Sequence, residues 1–253
     1  MNPIIALWSH PRSMSTALER IMRERGDMDC AHEPFMYYFY VERQVRKMPH
    51  FKMEQDHPTR YEDLRDMLLE RAELQPVFFK DMSFQVMPRI IEDHDFCQRL
   101  TNCFLIRNPV ASIASYYQLD PKVTCLEIGL EAQWNHFEAL RHTLATPPVV
   151  VQAEDIRADT RGVIGTLWEK TGLDYRDEAF SWGDESPDDW KQVDGWHRSV
   201  SASQSIRAPS PEENDAQNEK FEKCAQQNPQ LIEYLNHHMP YYNRLKEQAL
   251  ASS

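Results

Sequence analysis

Glycine is scarce in this chain of 253 residues, with 7 present where average usage predicts roughly 18. None lies between Gly26 and Gly129, so a phosphate-cradling loop in that half is built without the residue that usually lines one. Long hydrophobic runs are absent too, and nothing approaches the ~18 apolar residues of a membrane span. The N-terminus has five apolar residues in a row, Ile4 to Trp8, with no basic segment before them, which does not read as a signal peptide. The five cysteines (Cys30, Cys97, Cys103, Cys125, Cys224) are scattered, odd in number and free of any C-x-x-C pair, so neither a disulfide framework nor a zinc ribbon is expected. Basic residues are outnumbered: 28 Lys plus Arg face 40 Asp plus Glu, a formal net charge of −12. That balance excludes a nucleic-acid coat or a polybasic membrane binder. A cytoplasmic protein with no nucleic-acid or membrane partner is expected.

What is present is ordinary globular material, 41% apolar and 27% charged, in a chain long enough for a sizeable core. Short apolar runs recur at Ile4 to Trp8, Met28 to Ala31, Val77 to Phe79, Cys103 to Ile106 and Val149 to Val151. Such runs read as buried parallel strands. Between them, apolar residues fall at helical spacing: Tyr61, Leu64, Leu68 and Ala72; Leu130, Trp134, Phe137, Leu140 and Leu144; Ile164, Leu167, Trp168 and Thr171. Alternating strand and helix predicts an α/β fold, a single-domain doubly wound parallel sheet of about five strands with flanking helices over 1–253. Asp155 or Thr160 is placed to start the third helix and Gly172 to end it. Residues 181–211 change texture, rich in Ser, Asp and Pro, and read as a flap over the sheet. Trp182, Trp190 and Trp196 within it are costly to expose, so partial docking is expected. Residues 212–253 read as a tail of one or two surface helices.

Two segments carry chemistry. The first strand runs into Ser9-His10-Pro11-Arg12-Ser13-Met14-Ser15-Thr16, where helix-start amides, hydroxyls and a guanidinium converge as an anion site would require. It lacks the glycines and lysine of a Walker A loop. The fourth strand ends in Arg107-Asn108-Pro109, with Ser115 about two turns along the helix that Pro109 is placed to open. Open α/β sheets bind ligands at this carboxyl edge.

These segments resemble the sulfotransferases that use 3′-phosphoadenosine 5′-phosphosulfate (PAPS), on a P-loop-like fold. Ser9 to Thr16 is similar to that family's 5′-phosphosulfate loop, Arg107-Asn108-Pro109 with Ser115 to its 3′-phosphate motif. Val149 to Ile156 and the helix ending Trp168 to Leu173 resemble a later strand and helix. The likeness spans roughly residues 1 to 175 and implies PAPS as co-substrate, a small-molecule acceptor with a hydroxyl or amine, and no metal. It casts Arg12 at the sulfuryl group and bridging oxygen, Ser13, Met14, Ser15 and Thr16 at the 5′-phosphate, and Arg107 with Ser115 at the 3′-phosphate. The sequence departs from the family at Met14, where a glycine is usual, and at Ala17, where an aromatic often stacks on adenine. The family's late basic patch is not visible; Arg198 is the expected substitute, with Lys191 and Arg207 as others. Lys80 matches a lysine able to stabilise the bridging oxygen, but the histidine base two residues after it is replaced by Met82. The general base expected is Glu33, which stands in His32-Glu33-Pro34 ahead of the aromatic stretch Phe35 to Tyr40; His32 and Asp81 are the other candidates. That aromatic stretch is either acceptor pocket or core. His237 and His238 are expected at the surface without metal partners. A nucleotide-kinase-like phosphotransferase and a non-catalytic nucleotide-binding protein share this outline.

Overall fold

The structure, a computed structural model, describes residues 2–201 and 203–250, without the side chains of residues 198, 199 and 201. Strands β1 (Ile4–Ser9), β2 (Asp29–His32), β3 (Val77–Met82), β4 (Leu100–Ile106) and β5 (Val149–Gln152) form one sheet in the order β2-β3-β1-β4-β5. All pairings are parallel. Each strand coincides with a short apolar run of the sequence. However, β3 continues through Lys80 and Asp81, past the expected stop at Phe79, and β4 begins earlier, at Leu100.

Among the described residues, eight helices of eight or more residues flank or extend the sheet: α1 (Ser15–Glu24), α2 (Tyr61–Leu74), α3 (Pro109–Leu119), α4 (Leu130–Thr143), α5 (Thr160–Lys170), α6 (Asp194–Ser201), α7 (Glu213–Gln227) and α8 (Gln230–Lys246). Alternate residues of β1 face opposite ways, as strand geometry requires. Ile4, Ala6 and Trp8 pack with Leu64 and Leu68 of α2 and Phe137 and Leu140 of α4. Ile5 and Leu7 pack with Leu18 and Ile21 of α1 and Ile164 and Trp168 of α5. Both faces are therefore covered, which is why the strands read as continuous apolar runs.

Local signals act largely as expected. Pro109 opens α3, where the Asn108 side chain accepts the Val110 N–H at 3.0 Å. Gly172 ends α5 with φ +76°. Of the two expected starts, Thr160 is the first residue of α5 and Asp155 lies inside a separate short helix, Ala153–Ala158; the cap itself is Asp159, whose carboxylate accepts the Gly162 N–H at 2.9 Å. Within 181–211, Trp182, Trp190 and Trp196 are buried, at 6%, 2% and 8% exposure. The tail does more than cover the surface: Phe221, Leu231, Tyr242 and Leu245 all enter the core. No helix among the described residues is long and apolar enough to cross a membrane.

Gly129 combines a left-handed backbone with close neighbours. Gly129 has φ +82°, and a Cβ on it would lie 3.1 Å from Phe84 Cδ1, 3.4 Å from His10 Cβ and 3.5 Å from Pro11 Cδ. Gly129→Ala is expected to destabilise by about 1–2 kcal/mol from the left-handed backbone alone. Thermal denaturation would register this as a Tm drop of roughly 2–8 °C, and an unchanged Tm would mean the backbone relaxes there.

Candidate active site

The chain passes from β1 outward to β2, returns to β3 and then crosses to β4 on the other side of β1. Beside β1 the winding reverses, so the carboxyl ends of β1, β3 and β4 open a crevice. A cavity of about 270 Å³ occupies it, lined by Arg12, Met14, Ser15, Thr16, Glu33, Lys80, Arg107 and Ser115 among others. The fold thus gathers at one cavity the residues that the two sequence segments offered separately.

The β1–α1 loop achieves its curvature without glycine: Arg12 and Met14 take φ +64° and +74°. Left-handed non-glycine residues cost of order 1–3 kcal/mol each and collect at functional sites. Helix α1 starts after Met14 with no side-chain cap, which leaves its opening N–H groups as unfilled donors at the positive end of the helix dipole. Ser13 Oγ is buried with no hydrogen-bond partner among the described residues. An anion is the partner all three features lack.

Cations surround this point. Arg12 donates from Nε to Ser115 Oγ at 3.0 Å and from Nη1 to the Trp196 carbonyl at 2.7 Å. Arg107 donates from Nη1 to the Arg12 carbonyl at 2.9 Å, and its backbone N–H to His10 Nε2 at 3.0 Å. Neither guanidinium forms an ion pair with a carboxylate among the described residues. Burial, and then the nearby Arg107 charge, push Arg12 down to about 10, while burial lowers Arg107. Glu154 and Glu213 offset part of the Arg107 charge from a distance, but two half-buried, mutually repelling cations without a direct ion pair are costly without a ligand anion. A third cation, Lys220 of α7, is lowered by burial and by the charges of Arg12 and Arg107. It escaped the sequence reading because its helix looked like a surface tail. Of the expected C-terminal basic residues, the Arg198 side chain lies outside the described residues, Arg207 is exposed and Lys191 is exposed and paired with Asp188.

Lys80 and Glu33 form a buried ion pair. The Lys80 ammonium also lies 3.5 Å from both Ser15 Oγ and Thr16 Oγ1, so Lys80, rather than Arg12, is the cation nearest the α1 hydroxyls. Glu33 Oε2 has no partner among the described residues. The other two base candidates are engaged: His32 uses both ring nitrogens, on Glu19 at 2.7 Å and His197 at 2.9 Å. Asp81 accepts the Phe35 and Met82 N–H groups at 2.6 and 2.7 Å, with burial raising its carboxyl well above the usual range. Asp81 thereby fixes the turn that carries Glu33, itself at φ +44°.

The remaining wall is apolar: Tyr40, Met48, Met82, Phe84, Tyr116, Val193 and Trp196. Of the Phe35 to Tyr40 stretch only Tyr40 reaches the cavity; Phe35, Met36, Tyr37 and Phe39 are buried core. Among the three tryptophans, Trp196 alone lines it. The Tyr40 and Tyr116 hydroxyls donate to buried Glu127 at 3.0 and 3.3 Å, and Arg46 balances that charge. With their hydroxyls so engaged, both rings present carbon to the cavity. Gln85, 2% exposed, also lines it, and its Oε1 has no partner.

A second cluster is drawn together at α8. Cys125, His237 and His238 place ligand atoms within 4.8 Å of one another. His238 is 1% exposed, contrary to the surface position expected, because helix packing brings it beneath the Cys125 carbonyl. Its Nε2 binds that carbonyl at 2.8 Å and its Nδ1 accepts the Glu131 N–H at 3.3 Å, leaving no lone pair for a metal. His237 pairs with Glu131 at 2.9 Å.

Comparison with known proteins gives a family and a fold. A family model described as a sulfotransferase domain matches residues 3–249. Among solved structures, the sulfotransferase domain of the Synechococcus PCC 7002 olefin synthase aligns with TM-score 0.55 and 17% identity, over 89% of this chain and 94% of that one. The sulfotransferase domain from the curacin biosynthetic pathway aligns with TM-score 0.51 and 13% identity, over 90% and 97%. At such identities the likeness is one of fold. Two curated Arabidopsis thaliana proteins, branched-chain-amino-acid aminotransferase-like proteins 1 and 2, are 24% and 23% identical over 211 residues, 81% of this chain. The chain spans just over a third of their length, 37% and 36%.

Proposed function

As the chain belongs to the sulfotransferase domain family, we propose that it transfers a sulfuryl group from PAPS to a hydroxyl or amine of a small-molecule acceptor. The observation that carries this reading is the pair Arg12 and Arg107, half-buried beside the uncapped α1 and without an ion-pair partner among the described residues. Two phosphate-sized anions on one nucleotide would neutralise them. In this reading Arg107, Ser115 and Lys220 hold the 3′-phosphate, with Arg12 between it and the 5′ end. Ser13 and the opening amides of α1 hold the 5′-phosphate. Met14, Ser15 and Thr16 line the same cavity, and in this reading Thr16 meets the 5′-phosphate through its backbone N–H rather than its hydroxyl.

Chemistry then falls to Glu33 and Lys80. Glu33 Oε2 takes the proton of the acceptor as its oxygen or nitrogen attacks sulfur. The bond from sulfur to the 5′-phosphate oxygen breaks, that oxygen keeps the electron pair, and the Lys80 ammonium stabilises the charge. Adenosine 3′,5′-bisphosphate leaves. The acceptor lies along the Tyr40, Phe84, Tyr116 and Trp196 wall, with the unpaired Gln85 amide as its polar anchor. Residues 181–211, which supply Trp196, act as the flap over both substrates.

Calorimetric titration with adenosine 3′,5′-bisphosphate, AMP and Mg-ATP tests the assignment. Charge-assisted hydrogen bonds are worth ~1.5–3 kcal/mol, so Arg107→Ala should weaken the bisphosphate about 10- to 150-fold and leave AMP nearly unchanged. Equal binding of bisphosphate and AMP, or binding of Mg-ATP alone, would overturn it in favour of a phosphotransferase or a non-catalytic protein.

A further inference from the structure

Beneath the loop lies a buried cluster that the transfer chemistry leaves unused: Glu19, His32 and His197, at 0%, 4% and 5% exposure. Glu19 Oε1 accepts Arg23 Nε at 2.9 Å and Trp190 Nε1 at 2.8 Å, while its Oε2 meets His32 Nδ1 at 2.7 Å. Glu19 is ion-paired with Arg23, and a carboxylate can only accept, so His32 carries its proton on Nδ1. Burial first, and then Lys80, hold the His32 imidazole well below its usual basicity. It is neutral, its Nε2 is bare, and the His197 Nε2 that meets it at 2.9 Å is the donor. Burial and His32 likewise keep His197 neutral. Its Nδ1 is then bare and accepts the Thr16 hydroxyl at 3.2 Å. Thr16 has given its only proton away, and its oxygen lone pairs are left for Lys80 at 3.5 Å.

We propose that Glu19, His32 and His197 form a hydrogen-bond chain of fixed direction that locks the Thr16 hydroxyl as an acceptor for Lys80, so that docking of 181–211 orients the cation serving the leaving oxygen. The functional half of this rests on the sulfuryl-transfer reading. All three are positioning residues, since each acts through another side chain. His197 comes from the 181–211 segment, and the same helix turn supplies the Trp196 carbonyl to Arg12. One docking event thus sets both Lys80 and Arg12. Removal of the segment would leave Thr16 free to rotate and donate elsewhere, which reverses its polarity toward the ammonium.

The direction of the chain is readable in the unmodified, ligand-free protein by nitrogen NMR of ¹⁵N-histidine-labelled chain, with the His197 signals assigned by their loss in His197→Phe. His32 should show a protonated Nδ1 and bare Nε2, and His197 the reverse. Glu19→Gln, whose amide can donate or accept, should mix the two His32 tautomers. The function is read from a double-mutant cycle on bisphosphate affinity with His197→Phe and Thr16→Val, near-isosteric changes that remove the bond from either side. Each should weaken binding by up to about tenfold, the scale of one net hydrogen bond, and the double variant should be no worse than the poorer single one. Opposite or exchanging tautomers in the wild type, or effects that simply multiply, would overturn the proposal. Failure of the wild type to bind the bisphosphate would instead remove the sulfuryl-transfer reading beneath it; that failure appears in the unmodified protein, whereas failure of the coupling appears only in the variants.

Discussion

Glu33→Gln should lower kcat for sulfuryl transfer by about 10²–10⁴-fold, the usual contribution of a positioned general base, with bisphosphate affinity little changed. Glutamine is the informative substitute. Its carbonyl oxygen can still accept from Lys80, so the buried ammonium keeps a partner. Alanine would strand that charge, and breaking a buried pair from one side costs roughly 3–5 kcal/mol, confounding a catalytic effect with unfolding. The rivals for the role are differently placed: His32 has both nitrogens engaged and Asp81 both oxygens. Glu33 lines the cavity, and its Oε2 has no partner among the described residues. Single-turnover transfer from PAPS to an acceptor identified by screening gives the rate. A Glu33→Gln enzyme with undiminished kcat would move the base elsewhere, and the pH profile of the variant would show where.

Acidification should destabilise the protein steeply. His10 and His136 are fully enclosed, and burial pushes both down to about 3 from an ordinary value of 6.5. Burial takes His238 to about 4, and His32 and His197 move in the same direction. Each is held neutral when folded: His10 accepts the Arg107 N–H at 3.0 Å, and His136 lies against the Trp8 and Phe104 rings at 4.6 and 5.4 Å. In the unfolded chain all five would bind protons below about 6.5. The folded-state pKa is the lower one, so stability is fully present above 6.5 and is lost as pH falls from there toward 3–4. One group contributes about 1.4 kcal/mol per pH unit, so His10, His136 and His238 together forfeit roughly 4 kcal/mol by pH 5.5. The other two histidines add to the loss. Asp81 and Asp189, raised by burial, oppose it, since each gains stability as pH falls below its folded value. Two carboxyls do not cancel five imidazoles. Against a typical total of ~5–15 kcal/mol, the Tm should fall by about 10 °C or more between pH 7 and 5.5 at constant ionic strength. A flat Tm over that range would show that water reaches these histidines.

The sequence was most legible where one local rule decides. Five apolar runs became five parallel strands because a sheet covered on both faces has no reason to alternate. Pro109 and Gly172 acted through their own backbone preferences at a helix start and a helix end. The pattern misjudged the end of β3 because Lys80 and Asp81 are charged yet nearly inaccessible, at 1% and 0% exposure. A charge ends a hydrophobic run on paper; in the molecule Glu33 and two backbone amides satisfy it. The same holds for 181–211, whose polar texture suggested a loop while its tryptophans found Glu19, Pro49 and Ser203 as partners.

By itself, then, the sequence determined the strand and helix segments, the hydroxyl- and arginine-bearing turn of Ser9 to Thr16 between them, the Arg107 and Ser115 spacing, and through these the family. Those features depend on residues within a dozen positions of one another, where propensity and spacing suffice. Only the tertiary structure decided that Arg12 turns to Ser115 and leaves Lys80 at the loop hydroxyls, and that Tyr40, Tyr116 and Trp196 share one wall. It alone joined Glu19 to His32 and His197 across 13 and then 165 positions. Buried polar groups must be paired somewhere, but which group meets which depends on the closure of the whole chain, and no local pattern encodes that choice.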